Sequence, residues 1–241
     1  MNLFHKATLT FISIVALISI TPARMQVWAY DDEKISPAFL SSGMKNTQPT
    51  IRADLDLDGE EECLEVMEGE ARLSGSGCDE DEIEWSSPLD WEVMQALVTD
   101  LNRDGKLEVA LLIWRDFKPW PIDSYIPNPG RIDDFHDKDN RSCHLVLIGW
   151  RGGEYREVWA GSALADPLRE IAAADLDGDG KQELVALESK YDDPAVKPAH
   201  ALTVWEWNGF GFTLLARTRG RFRQLVILIT KEGTTRIFTV Q

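Results

Sequence analysis

Apolar residues in this chain come in short runs broken by acidic turns, not in helical stripes. Residues 95–99 and 170–174 are short, mostly apolar runs that lead straight into an Asp, and residues 63–67, 109–114 and 184–188 follow an acidic stretch with Val, Leu and Ile. Runs of this length, rich in β-branched and aliphatic residues and bounded by Asp and Gly, predict strands. The recurring unit is therefore strand, acidic turn, strand.

A second pattern doubles the unit. Residues 145–155 align with 202–212, matching Trp150 to Trp207, Gly152 to Gly209 and Tyr155 to Phe212. Each stretch reads as a strand, a Gly-containing hairpin turn and the start of another strand. A block then has four strands, and its hairpin aromatics are expected to pack between neighbouring units, because a repeated position usually serves the repeated fold. Four-stranded units at a period of roughly 40–75 residues predict an all-β, propeller-like array of about three to four blades. At the C-terminus, residues 223–230 and 234–240 flank a shortened turn, a worn copy that keeps the strands and loses the acids. Residues 30–48 are diluted by Ser, Pro and Gly, and are read as candidate edge strands closing the array.

The acidic turns carry the candidate chemistry. They begin at Asp54, Asp100 and Asp175, with side-chain oxygens at positions 1, 3 and 5 (Asp54, Asp56, Asp58; Asp100, Asn102, Asp104; Asp175, Asp177, Asp179), Gly at position 6 and Glu at position 9 (Glu62, Glu108, Glu183). Hard oxygen donors at this spacing suit Ca2+, about three ions per chain. An EF-hand needs flanking helices and a Glu at position 12; here two loops of three have Leu111 and Ala186 there, only the first having Glu65, and the flanking runs favour strands. An Asp-rich turn can also be a plain solvated β-turn. Three or four carboxylates in one small turn repel one another, however, and a cation makes their convergence favourable. The third loop, Asp-Leu-Asp-Gly-Asp-Gly-Lys-Gln-Glu, is the best formed of the three.

On these loops, over roughly residues 48–241, the chain resembles the FG-GAP (integrin α-type, or VCBS-type) repeat family. The resemblance implies propeller-like blades with calcium held between consecutive strands of a blade. It assigns the side-chain ligands to the twelve residues above and adds the position-7 carbonyls of Glu60, Lys106 and Lys181. The Gly-Ala-Pro landmark is missing and fewer blades are visible than in the best-known members, so the integrin ligand-binding role does not carry over.

Composition and charge narrow the function. Residues 1–29 read as a secretory signal peptide, with Lys6 before an apolar stretch and small residues at Val27 and Ala29 for cleavage; an uncleaved anchor is the other reading. The remaining residues, 30–241, form one repeat domain. Cleavage after Ala29 removes Lys6 and Arg24 and no acid, taking the net charge from −16 to −18. Such a chain repels nucleic acid and anionic membrane, so no nucleic-acid partner and no membrane insertion beyond the N-terminal segment are expected. Cys63 and Cys78 flank a Gly-containing turn and could close a disulfide worth about 3 kcal/mol, or stay buried thiols like Cys143. The stretch 115–142 is a long insertion with Trp120, Tyr125 and the cluster Asp133, Asp134, His136, Asp137 and Asp139. It is read as a lobe facing a protein or glycan partner, or as a solvated loop. No zinc-protease helix, phosphate-binding loop or nucleophile elbow occurs. The expectation is a secreted or cell-envelope, calcium-binding, non-catalytic interaction module. Its alternatives are an extracellular hydrolase acting on polysaccharide or phosphoester near residues 115–142, and a purely structural envelope protein.

Overall fold

The computed structural model describes residues 25–38, 45–46, 52–75, 78, 83–118, 134–194, 196–230 and 233–240. Among them there is no helix, and antiparallel blades are arranged as a four-bladed β-propeller. The first blade joins β4 (Arg52–Ala53), β5 (Glu62–Met67), β6 (Glu70–Ser74) and β7 (Ile83–Ser86) in that order. The second joins β8 (Glu92–Thr99), β9 (Glu108–Asp116), β10 (Arg141–Trp150) and β11 (Tyr155–Ala160). The third joins β12 (Leu168–Ala174), β13 (Glu183–Glu188), β14 (Ala199–Trp207) and β15 (Phe212–Phe222). An acidic loop links the first two strands of each.

The fourth blade is assembled from both chain ends. Its order is β2 (Lys34–Ala38), β1 (Met25–Asp31), β17 (Thr235–Val240), β16 (Gln224–Ile229), with β3 (Lys45–Asn46) added beside β16. Strand β1 pairs antiparallel with β17 from Met25↔Val240 to Trp28↔Ile237. The N-terminal strands thus complete the worn C-terminal unit and close the array. They start at Met25 and not at residue 30, and the cleavage point expected after Ala29 falls inside β1. Val27, Trp28 and Tyr30 are buried there, and Trp28 donates its indole N–H to Thr239 Oγ1 at 2.9 Å. Residues 1–24 of the expected signal segment, and any helix in it, lie outside the described residues.

Burial across a blade explains the apolar pattern. The second strands β9 and β13 and the third strand β10 are covered on both faces by adjacent blades, so they read as continuous apolar runs and not as alternating ones. The outermost β7 is mostly exposed. Three core clusters lie between blades: one holds Leu64, Leu73, Val109 and Leu111 from the first and second blades, another Leu97, Leu112, Leu145 and Ile171 from the second and third. A third joins Val185, Leu202 and Phe222 to Trp28, Leu225 and Ile237 of the closing blade. The hairpin aromatics serve these seams as the repeat implies. Trp150 faces Tyr155 and Trp207 faces Phe212 across their hairpins, and Trp159 of the second blade stacks edge-on against Trp207 and Phe212 of the third at 5.5 and 5.4 Å. The innermost strands β8, β12 and β16 line a central cavity of about 820 Å³.

Candidate metal centres

The three acidic loops fold onto one hydrogen-bond framework. The position-1 carboxylate accepts the position-6 amide: Gly59 to Asp54 at 3.1 Å, Gly105 to Asp100 at 3.0 Å, Gly180 to Asp175 at 3.0 Å. Position 3 accepts the position-5 amide in each loop, through Asp56, Asn102 and Asp177. Position 5 accepts the position-7 amide, through Asp58, Asp104 and Asp179. This curls the loop and leaves further carboxylate oxygens on its inside. The turn demands a left-handed backbone at positions 4 and 6: φ is +68° at Leu57, +60° at Arg103 and +85° at Gly178, and +81° to +96° at Gly59, Gly105 and Gly180. The position-6 glycines answer a steric need, since a side chain there is strained.

Two further positions anchor the loops. Position 2 is a buried Leu in every copy (Leu55, Leu101, Leu176), which pins the loop to the inter-blade core. The position-9 glutamates Glu62, Glu108 and Glu183 are 4 %, 1 % and 2 % exposed. Each accepts a backbone N–H from the start of its loop: Leu55 to Glu62 Oε2 at 2.6 Å, Asn102 to Glu108 Oε1 at 3.0 Å, Leu176 to Glu183 Oε2 at 3.0 Å. Burial, followed by the nearby Asp100 and Asp104, pushes the Glu108 carboxyl up to about 8, against a partial offset from the Asn102 amide. Burial likewise raises Glu183 to about 7.

Ligand atoms converge to within 4.8 Å of one another for Asp54, Asp56 and Asp58, for Asp100, Asp104 and Glu108, and for Asp175, Asp177 and Glu183, so each loop could hold a metal ion. Glu62 stands outside its group. Asp179 also stands outside, with its Oδ2 turned to Lys181 Nζ at 3.2 Å. Asn102 Oδ1 accepts the Asp104 amide at 3.0 Å, as the position-3 Asp does in the other two loops. Two buried oxygens fit a cation directly, because Asp54 Oδ1 and Glu108 Oε2 have no hydrogen-bond partner. A carboxylate oxygen left bare in a buried place is costly, and a divalent ion would satisfy it.

Residue pattern alone did not reveal the groups surrounding the loops. Arg103, at position 4 of the second loop, reaches Glu183 of the third at 2.6 Å and Glu206 at 2.5 Å. Gln182 accepts the Asp100 amide at 3.0 Å and the Thr99 hydroxyl. Arg151, on the β10–β11 hairpin, pairs with Asp104. The Arg103 and Gln182 links cross from the second blade to the third, and the Arg151 link joins two turns of the second blade; local spacing cannot signal any of them.

Antiparallel alternation puts the acidic loops and the outer hairpins on one face of the propeller and the β9–β10 connection on the other. The expected insertion leaves from Asp116 and returns at Arg141, which are paired in register. Asp133, Trp120 and Tyr125 lie outside the described residues. The described part is a local turn in which Asp137 Oδ1 accepts the amides of Asp139 and Arg141, and Phe117 packs on His136 at 5.1 Å. On that same face Asp166, Glu188 and His200 also converge, but Lys190 pairs with Asp166 and Arg217 with Glu188. At the worn fourth turn, Thr230 and Thr234 close the strands by a backbone bond of 2.8 Å, and no acidic group gathers among the described residues. Cys63 and Cys78 form a disulfide with Cα atoms 5.3 Å apart, while Cys143 is a free, buried thiol. Comparison with protein-family models finds no matching family, and comparison with curated proteins finds no match.

Proposed function

We propose that this protein is an exported, calcium-binding β-propeller of the FG-GAP or VCBS type that acts as a non-catalytic interaction module for a protein or glycan. The observation that carries the reading is the pair of buried, unpartnered oxygens, Asp54 Oδ1 and Glu108 Oε2, inside two of three loops with one shared framework. Mutual repulsion of the acids opposes that framework, and a hard cation reverses the sign. When bound, the ion would be held by Asp54, Asp56 and Asp58 in the first loop, by Asp100, Asn102, Asp104 and Glu108 in the second, and by Asp175, Asp177 and Glu183 in the third. It would join strands one and two in each of the first three blades. The Cys63–Cys78 bridge suits an oxidising compartment, which supports export. The formal charge of −16 supports a partner that is neither nucleic acid nor anionic membrane.

Calcium that binds only the folded chain must raise its melting temperature, by an amount that grows with free ion. Melting in chelator and in millimolar calcium is the test. A rise with calcium, smaller with magnesium, is expected, because Mg2+ demands octahedral geometry and sheds water reluctantly. Identical curves would sink the reading.

A further inference from the structure

The three loops share a backbone but differ in the charges already set against their acids. Among the described residues no basic side chain ion-pairs with Asp54, Asp56, Asp58 or Glu62 of the first loop, and Asp54 Oδ1 is bare. In the second, Arg151 pairs with Asp104, but both side chains are partly exposed (28 % and 39 %) and screened by solvent, and Glu108 Oε2 is bare. In the third the situation is different. Glu183 has both oxygens committed, Oε2 to the Leu176 amide and Oε1 to Arg103. Arg103 is no surface cation, being 11 % exposed and gripped from three sides by Glu183, Glu206 and, at 3.5 Å, the carbonyl of Gln182.

An ion entering between Asp175, Asp177 and Glu183 therefore meets a carboxylate that is already neutralised, with a fixed positive charge one hydrogen bond away. Like charges held this close in a buried setting disfavour each other. The geometry points to Arg103 as a tethered competitor for the metal, supplied by the second loop to the third, so that the third site fills last and only as Arg103 gives up Glu183. This rests on the loops being calcium sites. It inverts the ranking that residue types suggest, in which the third loop is the best formed. By reciprocity, an ion in the third loop must shift Arg103 away from Glu183, so the second and third loops are energetically linked.

Calorimetric titration of the full chain with calcium chloride tests this. Asp177→Asn identifies the third-site step, which should be the weakest of the unsubstituted protein. Arg103→Gln should strengthen that step about tenfold, within the range of ordinary site coupling, and leave the other two in place. The sign is informative, because a merely structural loss would weaken binding. Should Arg103→Gln fail to fold, the side-chain N–H resonance of Arg103 in the unsubstituted chain, assigned with Arg103→Lys, decides: it must move with the weak step and not with the earlier ones. Calcium binding with a third step that Arg103→Gln leaves unchanged, or an Arg103 resonance that ignores it, overturns this inference alone. No calcium heat in any variant overturns the calcium reading itself.

Discussion

His144 is a buried base with both ring nitrogens engaged. Nδ1 lies 3.0 Å from the Gly161 carbonyl, which can only accept, so Nδ1 carries the proton and Nε2 accepts from the Ser142 hydroxyl at 2.7 Å. Burial holds its pKa down at about 4, against the ordinary 6.5. The unfolded chain therefore binds the extra proton first. Stability is fully present above about 6.5 and is lost as pH falls towards 4, by at most about 3 kcal/mol. Proton NMR should find this imidazole neutral down to about pH 4; titration near 6.5 would refute the buried, neutral assignment. From sequence, His144 was one histidine among several without a recognisable context. The three acidic groups were legible, in contrast, because their convergence depends on spacing within one loop, although Glu62 and Asp179 stand outside them.

Between elements, side chains stand in for missing backbone bonds. Gln95 on β8 donates to the Ile171 carbonyl and accepts the Ile171 amide, both at 2.8 Å, so it caps β12 of the next blade as a peptide group would. Ile171 is 1 % exposed, so both of its backbone groups are buried beneath the Gln95 side chain. Gln95→Ala should cost about 2 kcal/mol, two lost hydrogen bonds plus stranded buried partners. Urea unfolding measures it, and faster hydrogen exchange at the Ile171 amide locates it. A loss under about 0.5 kcal/mol, the ordinary range for surface substitutions, would mean that the seam does not depend on this contact. Strands β9 and β13 were legible because apolar runs buried on both faces have no other use in so acidic a chain. The seam contacts were not, since Gln95 sits in the middle of a strand and its partner is 76 positions away.

At the scale of the whole molecule, the ring depends on its N-terminal strand. That strand was the least legible element, because Val27, Trp28 and Ala29 also read as the end of a signal peptide. All four register pairs between β1 and β17 use Met25 to Trp28. Trp28 is 8 % exposed and sits edge-on to Phe222 at 5.9 Å in the core that joins the third blade to the closing one. A chain beginning at Tyr30 loses every one of those pairs and the Trp28 side chain, whose removal from a core costs about 3–5 kcal/mol by itself. Against a total stability of about 5–15 kcal/mol, that either unfolds the protein or lowers its melting temperature by roughly 10 °C or more. A chain beginning at Met25 keeps all of β1 and should melt with the full-length protein. Thermal melts of the two truncated proteins, with calcium held constant, separate the cases. Equal stability of the Tyr30 form would mean that β17 does not need its N-terminal partner. On the proposed reading of export, mass spectrometry of the processed chain then bears on the cleavage point: a folded form should retain Met25, because cleavage after Ala29 would take away the residues that close the ring.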